Sequence, residues 1–374
     1  MKKVAVLGAG MVGSAIARDL ANNFDVTSFD MNEGKLNSLS NYGIKTHYTD
    51  LSSPENISSA IQGSDFVVNA TPGFMGYTTL REIIKNKKDV VDIAFFPENS
   101  LELNSLAEEN GVTAIVDIGV APGMSNFLLG YHSRLMKVND FICYVGGLPV
   151  IRELPFQYKA PFSPIDVIEE YTRIARFVEN GKIVSKAAMS DREYISFEGI
   201  GTLEAFNSDG LRTLIDTIDV PNMIEKTLRY PGHIEMIINL RDMGFFENSE
   251  IIVKDQHVNI LDFTSKVLIN KWKLNDNDTE FTVMKIIIRG VENDKMLEYT
   301  YNLLDRTDTQ NNISSMARTT GYTATAALNM INEGLFNKKG VFPPENIALN
   351  YDIYQYILSY LKLRGIDYRL EVKY

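Results

Sequence analysis

The stretch V-A-V-L-G-A-G-M-V-G, Val4–Gly13, decides the fold. The apolar run Val4–Leu7 reads as a short strand, and Gly8, Gly10 and Gly13 follow at G-x-G-x-x-G spacing. An Ala-rich amphipathic segment, Met11–Leu20, comes next, and a second β-like run, Val26–Phe29, ends in the acidic Asp30. Each part meets a need of dinucleotide binding. Gly8 allows a tight turn, Gly10 lets backbone N–H groups approach a pyrophosphate, and Gly13 lets the helix lie close on the strand. The helix N-terminus, with Ala9, Met11 and Val12 around it, offers unpaired N–H donors and a positive dipole to phosphates. Asp30 stands where ribose hydroxyls would donate to a carboxylate, and its charge would repel a 2′-phosphate. No Arg or Lys follows until Lys35, so the expected cofactor is NAD rather than NADP. A signal peptide is the competing reading of Lys2, Lys3 and the apolar run. The three glycines, Arg18, Asp19 and the lack of a small-residue cleavage site argue against it.

At 374 residues the chain is long for one core, so two domains are expected. No apolar stretch approaches the roughly 20 residues that span a bilayer. A net charge of −11 argues against nucleic acid or an anionic membrane as partner. The single cysteine, Cys143, excludes an internal disulfide and points to a reducing, cytoplasmic setting. Four scattered histidines show no metal-ligand spacing, so no metal is expected.

A strand–helix rhythm runs through residues 1–125. Strands are expected near Lys45–His47, Asp65–Asn69, Asp89–Ile93 and Val112–Ile118, and helices from Lys35 and over Glu55–Ile61, Thr78–Lys87 and Pro97–Asn110. Near-continuous apolar strands between helices mean a doubly wound parallel α/β sheet of the Rossmann type, with ligands at the carboxyl ends of its strands. Ala70, Thr71 and Pro72 therefore face the cofactor, and Asp92–Phe95 and Asp117–Gly123 face the reaction. After a helix over Met124–Leu135 the texture becomes β-rich, at Phe141–Gly147, Tyr194–Glu198, Ile251–Val253, Glu280–Arg289 and Met296–Leu303. Hairpin-like spacing across Arg289–Lys295 suggests an antiparallel sheet. Residues 126–310 would form this inserted α+β domain. Residues 311–374 would return to the first domain through Ser314–Gly334, whose small residues permit close approach.

Several longer motifs carry a resemblance. They are V-D-I-A-F-F-P-E-N at Val91–Asn99, V-D-I-G-V-A-P-G-M-S-N at Val116–Asn126 and G-G-L-P at Gly146–Pro149. Further on stand Y-K-A-P-F-S-P at Tyr158–Pro164, G-T-L-E-A-F-N-S-D-G-L-R-T-L at Gly201–Leu214, L-R-Y-P-G-H at Leu228–His233 and G-V-F-P-P-E at Gly340–Glu345. Along nearly its whole length the chain resembles the saccharopine dehydrogenase-like oxidoreductases, and within them the lysine 6-dehydrogenase branch. That resemblance implies a Rossmann domain interrupted by a substrate domain whose mixed sheet carries much of the interface of a homodimer or higher homo-oligomer. It also implies NAD-dependent oxidative deamination of the lysine side-chain amine to allysine, which cyclises to a piperideine carboxylate. Similar saccharopine reductases carry an acid before the Pro-Gly of the Val116–Asn126 motif and a cysteine before Gly-Gly-Leu-Pro. Here those positions are Ala121 and Val145. A saccharopine or carboxyspermidine-type reductase, and a non-catalytic NAD-binding sensor, stand as alternatives.

Deamination needs a base for the ammonium, stabilisation of a developing iminium and a clamp for the distant carboxylate. Asp117 and Asp92, at strand ends, are candidates for the first two; each also reads as a cap or a buried carboxylate. Tyr77, after the loop Thr71–Gly76, is a proton relay or a packing ring. Lys159 is a carboxylate ligand, a base or a solvated lysine. Arg212 and Arg229 are the expected clamps, with Asp209 at the substrate end or capping the segment after it. His233 is a proton shuttle or a structural histidine.

Overall fold

A computed structural model describes residues 1–161, 164–275, 278–348 and 350–374; Phe162 and Ser163 of the Tyr158–Pro164 motif lie outside them. Buried apolar runs build a first, wholly parallel sheet. Its strands are β1 (Lys3–Leu7), β2 (Asp25–Asp30), β3 (Lys45–Tyr48), β4 (Phe66–Asn69), β5 (Asp89–Asp92) and β6 (Thr113–Ile115). They lie in the order β6-β5-β4-β1-β2-β3, and Gly340–Phe342 adds a seventh strand beside β6. All four residues of β4 and residues 4–7 of β1 are buried, as a sheet covered on both faces requires. The order reverses between β1 and β4, so the crevice beyond their carboxyl ends is where such a sheet takes a ligand.

Two departures from the sequence reading shape that crevice. The helix expected from Thr78 begins at Gly73, directly after Pro72. Gly73 and Gly76 act as packing residues there: a Cβ on the first would overlap the Phe95 carbonyl, and one on the second would meet Ala94 and Phe96. The strand expected to run to Ile118 stops at Ile115, and Asp117 turns into the left-handed region with φ of 51°. Only a few per cent of non-glycine residues do so, and the turn carries the Asp117 carboxylate out of the sheet.

The second sheet follows the order 193–197, 201–207, 222–229, 137–149, 280–292, 295–306, 369–373, with 175–179 and 182–186 attached at one side. It is mixed rather than purely antiparallel, because Asn222–Arg229 runs parallel to Lys137–Pro149. Parallel neighbours need a long crossover, and the segment between them supplies the helix Pro164–Thr172. Glu280–Glu292 and Lys295–Arg306 form the expected hairpin, turning through Asn293 and Asp294 with φ of 49° and 60°. Positive φ at both positions matches the twist of the flanking strands. Glu250–Val253 stands apart, in a hairpin with Gln256–Asn259.

The helix Ser315–Asn332 packs on Met11–Leu20, and Gly321 sets the approach, its position for a Cβ lying 3.2 Å from Ile16 Cγ1. Asp19 of the first helix accepts hydrogen bonds from Thr325, Tyr360 and Arg364. The last strand, Arg369–Lys373, does not follow; it extends the second sheet beside Lys295–Arg306. No helix among the described residues is long and apolar enough to cross a membrane.

Candidate active site

The glycine triplet builds the cradle. Gly8 has φ of 105° and donates its N–H to the Phe29 carbonyl at 2.8 Å. A Cβ on Gly13 would overlap the Gly8 carbonyl oxygen, so only glycine lets the helix start so close to the turn. Gly10 has open space where a Cβ would point, leaving the first-turn N–H groups accessible to an anion. Asp30 is fixed at both oxygens, accepting from Ala9 N at 2.7 Å and Asn32 N at 2.8 Å. Ala70, Thr71 and Pro72 form the opposite wall. These residues fit a dinucleotide: open donors for its phosphates and a held carboxylate for its ribose.

The cradle opens into a cleft of about 760 Å³ between the two sheets. Ile93–Phe95, Asp117 and Gly119–Pro122 line it from the first domain. Val145–Gly147, Ser208–Gly210, Glu225, Thr227 and Arg229 line it from the second. Ala121 and Val145, where the reductase motifs would carry acid and thiol, both face it.

Asp117 reaches the cleft, but not as a free base. Arg212 grips its two oxygens from Nε at 3.4 Å and Nη2 at 3.3 Å, both side chains being buried. Arg212 itself has φ of 53°, and its guanidinium lies 4.8 Å from the Phe95 ring centre. It therefore neutralises Asp117 across the domain junction instead of clamping a carboxylate. Arg229 is likewise taken. It donates to Glu170 at 2.6 Å, Tyr171 Oη at 2.9 Å, its neighbour's Leu228 carbonyl at 2.9 Å and Tyr158 Oη at 3.4 Å. Asp209 lines the cleft with its carboxylate held by Arg176 Nε and Nη2 at 3.0 and 3.2 Å.

Four expected catalytic groups lie off the cleft lining. Asp92 is fully buried, accepts from Asn69 Nδ2 and Ala94 N, and burial raises its carboxyl well above the usual range. Tyr77 packs edge-on against Phe96, at 5.7 Å between ring centres. Lys159 pairs with Glu153 at 3.4 Å and Asp278 at 3.9 Å, while its neighbour Ala160 faces the cleft.

His233 is fully buried, its Nδ1 donating to the Phe156 carbonyl at 2.8 Å and its Nε2 accepting from Tyr171 Oη at 2.9 Å. Burial, with the Arg229 charge nearby, lowers its pKa to about 3, so it stays neutral. The unfolded chain binds that proton near pH 6.5 and the folded chain does not. Its effect on stability therefore grows as pH falls from about 6.5 towards 3. A His233→Gln variant is expected to lose less Tm between pH 7 and pH 5 than the wild type, and to leave no change in any activity inflection near pH 6.5. An inflection that vanishes with the substitution would restore His233 as a proton shuttle.

Glu225 and Arg173 were not anticipated, yet both line the cleft. Glu225 stands out only in the fold, which buries it on the strand Asn222–Arg229.

Two family models match nearly end to end: the saccharopine dehydrogenase NADP binding domain over residues 4–115 and the saccharopine dehydrogenase C-terminal domain over residues 119–366. The saccharopine dehydrogenase [NADP(+), L-glutamate-forming] of Pyricularia oryzae is 26% identical over 54% of this chain and 49% of its own length. The mitochondrial alpha-aminoadipic semialdehyde synthase of Rattus norvegicus is 24% identical over 65% of this chain and 28% of its own. The chain thus spans about half the length of the first and little more than a quarter of the second. The solved apo saccharopine dehydrogenase (L-Glu forming) of Saccharomyces cerevisiae shares the fold over the full length of both chains, with a TM-score of 0.81 at 20% identity. With both domains matched, and the nucleotide cradle opening on the cleft between them, this chain belongs to the saccharopine dehydrogenase family of oxidoreductases.

Proposed function

We propose that the protein is an NAD-dependent amine dehydrogenase acting on the side-chain amine of L-lysine, releasing ammonia and the aldehyde. The observation that carries this reading is the cleft wall at Ala121 and Val145, apolar where similar saccharopine reductases present acid and thiol. An apolar wall suits the methylene chain of lysine and offers nothing to the extra polar arm of saccharopine. Asp30 supports NAD, since its fixed carboxylate accepts ribose hydroxyls and opposes a 2′-phosphate. Bound NAD supplies the acceptor for the hydride that leaves the amine-bearing carbon. The protein's part is to orient that carbon, exclude bulk water and take the ammonium proton.

One observation favours a second reading, a reductase of saccharopine type that uses NADP. Lys35 lines the cofactor end of the cleft beside Asp30, where an ammonium could meet a 2′-phosphate. Following NADH absorbance with lysine as sole substrate separates the two. Signal with lysine and NAD is the expected result. Turnover only with saccharopine, or only with glutamate plus an aldehyde and NADPH, replaces the first reading with the second.

A further inference from the structure

Most charged side chains on the cleft are already paired: Asp117 with Arg212, Glu170 with Arg229, Asp209 with Arg176. Among the described residues, two cleft-lining side chains have a buried polar atom with no hydrogen-bond partner, Glu225 Oε2 and Arg173 Nη1. One is an acid and the other a guanidinium. Glu225 is only 4% exposed and stands on Asn222–Arg229 beneath Gly210, where any Cβ would overlap its carboxylate. The fold thus makes room for an acid and leaves its Oε2 without a hydrogen-bond partner. Arg173, a residue of the cleft lining, uses Nη2 on Glu169 at 3.3 Å, its guanidinium lies 4.9 Å from the Phe95 ring centre, and its buried Nη1 has no partner. Burying unpaired charge destabilises a protein, and sites that tolerate it are commonly completed by a ligand.

We infer that Glu225 receives the reacting amine of the substrate and Arg173 its carboxylate, so that the cleft selects an amino acid charged at both ends. This rests on the amine dehydrogenase reading. The proton step follows from the contact: an N–H bond of the ammonium breaks, an O–H bond forms on Glu225, and the freed lone pair is available to the carbon that loses hydride. Later release of that proton to water restores the carboxylate. The groups facing Glu225 are Glu170 on the neighbouring helix, Asp209 and Arg212 on the loop above, and Cys143 on the adjacent strand. Burial first, then the Glu170 and Asp209 charges, push its pKa up to about 8 against the pull of Arg212. A group so placed charges fully only above that pH, near where a base for an ammonium works well.

The test is calorimetric binding of L-lysine, L-norleucine, n-pentylamine and saccharopine to the full chain, with and without NAD. Glu225→Gln is expected to weaken lysine and pentylamine roughly tenfold or more and leave norleucine unchanged. Arg173→Met is expected to weaken lysine and norleucine by a similar factor and spare pentylamine. Wild-type affinity for lysine should rise with pH through about 8, and that rise should be absent in Glu225→Gln. The Gln variant should melt no lower than the wild type at pH 8, since it removes a buried unpaired charge. Lysine binding unchanged in Glu225→Gln, or lost together with norleucine binding, overturns the assignment. If the wild type takes saccharopine and not lysine, the lysine reading fails alone. The same variants then decide the pair on saccharopine, a loss upholding it and unchanged binding overturning it. A wild type that takes none of the four overturns both.

Discussion

Replacing Arg212 by methionine is expected to lower the unfolding free energy by about 3–5 kcal/mol, the usual loss when one partner of a buried ion pair is removed. The side chains of Arg212 and Asp117 are only 6% and 3% exposed, so Asp117 would be left charged and out of water. Its neighbour on the first domain, Asp92, is a second buried carboxyl group rather than a cation and offers no relief. The double variant Asp117→Asn with Arg212→Met should recover most of the loss, because no buried charge then stands alone. Urea unfolding of the wild type, both single variants and the double variant measures the coupling. A single Arg212→Met variant as stable as the wild type would show that water reaches Asp117 and that the pair is not sealed. The consequence goes beyond stability. Asp117 leaves the end of the first sheet and Arg212 belongs to the second domain, so the pair ties the two domains together at the cleft.

How much of this was legible depended on how local each signal is. The nucleotide half could be read because its determinants are contiguous: an apolar run, a glycine triplet, an amphipathic helix and an acid, each within a few residues of the next. Gly73 and Gly76 misled the helix assignment because glycine usually breaks a helix, whereas here each clears a backbone or ring that only the third dimension brings near. The substrate half failed for a related reason. A sequence shows that Arg229 is charged, but not that Glu170, 59 residues away, has already claimed it. Asp92 and His233 carry the right chemistry and are sealed from the cleft by partners on other elements. What singles out Glu225 is the lack of a partner, and that is a property of the assembled fold.

The second large effect concerns the cofactor. Under the NAD reading, Asp30→Ala is expected to weaken NAD roughly 10- to 100-fold, as the loss of one or two charge-assisted hydrogen bonds to ribose implies. The same change should cut the preference for NAD over NADP by about two orders of magnitude, since it both removes the ribose acceptor and ends the repulsion of a 2′-phosphate. Coulomb attraction or repulsion of unit charges 4 Å apart near a protein surface is about 4 kcal/mol, ample for that swing before salt screens it. Asp30→Asn separates the two contributions. It discards the charge but keeps only one of the two acceptor oxygens that the N–H groups of Ala9 and Asn32 use, so the turn is held by one of its two side-chain hydrogen bonds. NADP binding should therefore improve in Asp30→Asn, with a drop in Tm no larger than the loss of one turn hydrogen bond gives. Lys35→Gln is the counterpart, expected to leave NAD binding unaltered. Fluorescence titration of both cofactors against the three variants reads all of this directly. If the wild type instead prefers NADP and Lys35→Gln abolishes that preference, the ammonium governs the pocket and Asp30 serves only the turn. An Asp30→Ala variant with unchanged affinity for both cofactors would place the ribose away from β2 altogether.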